Sequence, residues 1–138
     1  MNNITENPFQ HLRYDLEQVL RADQRYVGDA GLGPEIVSVV YNPVGTSDQI
    51  VLYPCLHCSG MWAIGWVAYV GRFRSTQHAS VRGGLFRDVN SAKLFALGEI
   101  TAEHGRDVEA GRIEQDTELK MTLYNLVAEI RQKTIDFQ

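Results

Sequence analysis

Cysteine is scarce. The chain of 138 residues holds two, Cys55 and Cys58, too few for a disulfide framework, and its 44% hydrophobic content suffices for one core without such staples. No apolar run approaches the ~20 residues that cross a bilayer, and the N-terminus lacks the basic-then-apolar order of a signal peptide. A cytoplasmic protein with no membrane partner is therefore expected. Internal repeats, low-complexity tracts and Pro/Ser-rich linkers are also missing, so a single domain over residues 1–138 is expected, with the polar "MNNITEN" at 1–7 frayed. No Gly-x-Ser-x-Gly elbow occurs and no serine is placed beside a base. No catalytic residue and no cofactor are assigned.

What is present reads as an α+β chain. Asn7 and Pro8 suit a helix start, and Phe9, Leu12, Leu16, Val19 and Leu20 recur at threes and fours, predicting an N-terminal helix over about 8–26. Three glycines and a proline in "GDAGLGP" stop it. "EIVSVVY" and "QIVLY" predict two strands around the turn "NPVGTSD". "MWAIGWVAYV", apolar at both alternating sets of positions, predicts a central strand covered on both faces. After a polar loop, "RSTQHAS", the stretch "VRGGLF" predicts a short edge strand.

Two helices complete the order. One is predicted from a cap at Asn90 or Ser91 to a stop at Gly105, the other from Asp116 or Thr117 with an apolar stripe of Leu119, Leu123, Leu126, Val127 and Ile130. The expected architecture is an N-terminal helix, an antiparallel sheet of three to four strands, and two C-terminal helices packed on the sheet. Tyr124, Val127 and Ile135 extend the last stripe enough to offer a second copy a face, so a homodimer is compatible with it.

The stretch "YPCLHCSGMW" places both cysteines two residues apart around His57. A zinc site needs two further ligands, and no two of His11, His57, His78 and His104 lie three to five residues apart. A scattered set of Cys55, Cys58, His78 and His104 is the zinc arrangement these residues leave, and Glu99 with Glu103, four apart on one helix face, is a further pair that could hold a metal or act as an acid/base pair. A thioredoxin-like pair would open a helix, whereas this one runs into a strand. The favoured reading is a hairpin connection with reduced thiols, Gly60 supplying the turn. "GDAGLGPE" is likewise a connector more than a phosphate loop, because it ends in no Lys-Ser/Thr and leads into a strand.

Charge is divided unevenly. Between residues 71 and 95 lie Arg72, Arg74, Arg82, Arg87 and Lys93 against the single acid Asp88, a local +4 within a chain of net −4. Mixed with Trp66, Tyr69, Phe73 and His78, they suggest a basic face for nucleic acid. Glu99, Glu103, Asp107 and Glu109 form an acidic counterpart, with Glu99 and Glu103 on one helix face. The order helix, three strands, helix over about residues 8–104 resembles that of double-stranded-RNA-binding domains. In that family basic residues at the start of the last helix contact phosphates, and Lys93 is the single basic residue at that place here.

Three function classes follow. The first is a non-catalytic protein that binds a protein or nucleoprotein complex, such as a phage- or plasmid-type inhibitor of bacterial defence of the anti-CRISPR kind. In it the arginines would face nucleic acid or an acidic protein, and Glu103, Asp107 and Glu109 would mimic phosphates. The second is a nucleic-acid-binding module using Arg72 to Lys93. The third is a small zinc or redox protein using Cys55 and Cys58.

Overall fold

The computed structural model describes residues 6–14 and 28–136. Among these residues five antiparallel strands form one sheet: β1 (Leu32–Glu35), β2 (Ser38–Tyr41), β3 (Gln49–His57), β4 (Trp62–Val70) and β5 (Phe73–Gln77). Two helices follow, α1 (Val89–Glu109) and α2 (Thr117–Asp136). The α+β class is as expected, but with one strand more than the upper count.

The additional strand arises because "EIVSVVY" does not form one strand. β1 and β2 both pair with β3, at its C-terminal and N-terminal halves respectively, and break at Ile36–Val37. Pro54 in β3 explains where. Its carbonyl accepts from Ile36 N–H at 2.9 Å, so its missing N–H faces this same edge, and a continuous neighbouring strand would lack one partner there. Further register shifts lie within β1 and between Val39 and Tyr41. β3 itself runs four residues beyond "QIVLY", taking Pro54, Cys55 and His57 into the sheet.

β4 lies between β3 and β5 as the central strand. Ile64, Trp66, Ala68 and Val70 join Ile50, Leu52 and Phe73 in the main core beneath α1. The opposite face is covered in part. Cys55 and Ala63 are sealed by Val81 and Leu85, whereas Val67 is half-buried and Tyr69 exposed. Gly65 divides these halves, since a Cβ there would lie 2.6 Å from both Gln77 O and Ala79 N, where the chain crosses after β5. "RSTQHAS" therefore begins as β5 instead of a loop. "VRGGLF" forms a 3-10 turn at Val81–Gly83 capped by Ser80, followed by single bridges from Leu85 to Tyr14 and Phe86 to Trp62.

α1 starts one residue before Asn90, with Asp88 as its cap, and passes through Gly105 to Glu109. Nearly every residue from Leu94 to Ile100 is buried because α1 lies on the sheet and is covered by α2 on its far side. α2 thus packs on α1 more than on the sheet. Its cap and stripe are as predicted: Asp116 Oδ1 accepts from Leu119 N–H at 2.9 Å, and Leu119, Leu123 and Ile130 are buried.

The N-terminal helix is not formed where it is described. Residues 10–12 make a 3-10 turn, and Tyr14 N–H donates to Leu85 O at 2.8 Å; the remainder of the predicted helix, 15–26, lies outside the described residues. Tertiary contacts explain the difference. Asn7 accepts from Phe9 N–H and donates to Phe95 O at 2.9 Å, resting where Gly98 has no Cβ, while Phe9 and Leu12 join the core. Of the segment expected to fray, Asn7 is thus anchored, and 1–5 lie outside the described residues. With five strands and no regular helix at 8–14, the element order also departs from that of double-stranded-RNA-binding domains.

Candidate functional site

The cysteine stretch is a hairpin. β3 continues to His57, and β4 begins at Trp62 after a tight turn closed by His57 N–H to Met61 O at 2.7 Å. His57 organises that turn. Its Nδ1 accepts from Ser59 N–H at 3.2 Å and pairs with Ser59 Oγ at 2.8 Å, which places the proton of a neutral ring on Nε2. Gly31 lies against the turn so closely that a Cβ would meet Cys58 Sγ and His57 Nε2, and its carbonyl accepts from Cys58 N–H at 2.8 Å. "GDAGLGPE" is a docking connector in the same sense: Asp29 Oδ1 accepts from Val81 N–H at 2.8 Å.

The two thiols differ. Cys58 is exposed; Cys55 is buried, and burial, assisted by the nearby Glu35 carboxylate, pushes its pKa up, the reverse of what a reactive thiolate needs. The scattered metal set does not converge. Cys55 faces Ala63 on one side of the sheet, while His104 lies on the other against Phe73, its ring at 5.4 Å and 87°. Among the described residues no three histidine, cysteine or acidic side chains are grouped to hold a metal ion.

The acidic residues separate into different jobs. Ser75, buried on β5, accepts from Trp66 Nε1 at 2.9 Å and donates to Glu103 at 2.5 Å, so Glu103 ties α1 to two strands. Asp107 is held by Arg112, whose Nη2 and Nε approach Oδ1 at 2.7 and 2.9 Å, closing the loop between the helices. Glu99 is half-buried one turn before Glu103, and Glu109 is exposed at the helix end. Two of the four carboxylates are thus committed to internal partners.

The basic residues are carried by different elements. Arg72 lies in the β4–β5 turn, and Arg74 is folded over it, donating to Gly71 O at 2.7 Å and Phe73 O at 2.8 Å with its guanidinium 4.9 Å from the Tyr69 ring centroid. Arg87 follows Phe86, which bridges Trp62 at the other end of β4, roughly 26 Å away along the strand. Arg82 is exposed on the 3-10 turn, and Lys93 is half-buried on α1. Burial first, and Lys133 second, lower the Lys93 pKa.

The surface the motifs missed is the outer edge of the sheet. Ile36, Val37, Val39 and Val44 are 51%, 64%, 58% and 102% exposed along or beside β1 and β2. Sheet edges are usually guarded by charge, yet residues 36–44, "IVSVVYNPV", contain no charged side chain. That uncharged run was legible in the chain. Its position at an edge was not, because pairing order depends on partners distant in sequence. No family model, curated protein or solved structure matches the chain.

Proposed function

We propose that the protein is a non-catalytic binding protein that docks a protein partner, free or within a nucleoprotein complex, along the β1–β2 edge. The exposed, uncharged β-branched run at residues 36–44 carries this reading. Among the described residues β2 pairs with β3 alone, which leaves its outer backbone groups unpaired there, while Val39 lies exposed on the face shared with Val51. A partner strand added there gains main-chain hydrogen bonds for affinity and valine contacts for specificity. Covering one such half-exposed valine contributes on the order of 1 kcal/mol. An inhibitor of a bacterial defence complex is one instance of this reading.

The test is capture from bacterial lysate with and without nuclease, using wild type, Val39→Lys, and Arg74→Glu as a control. A lysine at the edge leaves β2 paired with β3 but blocks addition of a strand. A protein retained after nuclease by wild type and Arg74→Glu, and lost with folded Val39→Lys, is the expected result. Capture unaffected by Val39→Lys would remove the edge from the interface.

A further inference from the structure

Away from the sheet edge, the helices enclose a second feature. The N-terminal turn, α1 and α2 border an open crevice of about 340 Å³ lined by Phe9, Leu123, Tyr124 and Val127, with Thr101 and Lys120 at one end. Thr101 and Lys120 also line a small cavity of about 40 Å³ between the helices, together with His104 and Gln115. Thr101 and Lys120 thus border both spaces.

The chemistry along this path changes sharply. The crevice is almost wholly apolar, and among the described residues Lys120 is the one charged side chain lining it. No carboxylate among the described residues lies within ion-pair distance of the Lys120 ammonium. At the inner end His104 is only 2% exposed, and its Nε2 has no hydrogen-bond partner among the described residues. A buried polar atom without a partner costs about 1–3 kcal/mol, so this one is a place where a ligand or bridging water would be favourable. The inner cavity has room for one water.

We propose that this crevice binds a small amphipathic carboxylate, its apolar tail along Phe9, Leu123, Tyr124 and Val127 and its head on Lys120. The head reaches His104 Nε2 through one bridging water in the inner cavity. Asp116 and Asp107 act on His104 at the inner cavity, whereas Lys120 is the charged side chain that lines the crevice itself: an ammonium head there would meet Lys120 in repulsion, and an uncharged head would forgo the charge-assisted hydrogen bond. The volume and apolar lining fit the general form of small-molecule sites.

Octanoate and octylamine are suitable probes, titrated below their aggregation range while amide shifts are followed by two-dimensional NMR. Saturable octanoate shifts confined to Thr101, Lys120, Tyr124 and their neighbours are expected, with octylamine at least roughly tenfold weaker. Lys120→Met should abolish that preference, and Val127→Trp should block both probes, each variant first shown to melt cooperatively. Equal binding of both probes to wild type, shifts without saturation, or an octanoate preference surviving Lys120→Met would overturn the proposal. Neither substitution touches the β1–β2 edge, so this outcome and that of the capture experiment are read separately.

Discussion

An imidazole enclosed beside Phe73 holds a proton poorly. Burial lowers the His104 pKa below its usual 6.5; Asp116 and Asp107 pull it up and Lys120 pushes it down, both less than desolvation does. The unfolded chain therefore takes up this proton at a higher pH than the native one, so stability is full above about 6.5 and falls as pH drops towards the lower native value. Within that window the loss is up to about 1.4 kcal/mol per pH unit. Urea denaturation of wild type and His104→Gln from pH 8 to 5 measures it: the wild type should lose more stability on acidification, and parallel curves would refute the assignment. Nothing in the sequence around His104 signals burial, because the residues that enclose it come from β5 and α2. Its neighbour Glu103 had looked equally available as a surface acid until Ser75 and Trp66 came to meet it.

At the scale of elements, local chemistry and tertiary contacts succeed in different places. The Asp116 cap was legible because it is a bond between residues three apart. Asp116→Ala should cost about 1 kcal/mol and Asp116→Asn only a few tenths, read from urea midpoints at constant slope. An alanine variant as stable as wild type would show that packing on α1 alone sets the start of α2. The N-terminal segment is the counterexample. Its three-and-four spacing was real, but Phe9 and Leu12 use their apolar side chains in a core reached by turning, with Asn7 pinned to α1. α1 itself shows why a helix's amphipathicity weakens: covered on both sides, it has little polar face to display.

For the molecule as a whole, the distribution of charge is the decisive change from the linear chain. Five basic residues within 25 positions are carried by different elements: Arg72 and Arg74 at one end of β4, Arg87 beyond the other, Arg82 on the 3-10 turn and Lys93 on α1. A duplex meeting any one group engages about two cations, so its affinity should fall with salt at a log–log slope no steeper than about −2. Fluorescence anisotropy with a short duplex between 50 and 200 mM salt measures this. A slope near −4 would mean that the five act together after all. The sheet edge and the helix crevice, neither marked by charge runs, instead present the apolar surfaces on which the two binding proposals rest.

The amino-acid sequence by itself determined the α+β class, the central aromatic strand, the hairpin at Cys58, and the α2 cap and stripe. Each depends on periodicity or on bonds spanning a few residues, and such interactions need no distant partner. Tertiary structure alone decided that β1 and β2 share one edge opposite Pro54, that Cys55 and His104 lie on opposite sides of the sheet, and that Lys120 stands beside His104. Those outcomes depend on which surfaces bury one another, and burial brings together residues whose separation along the chain carries no trace of their contact.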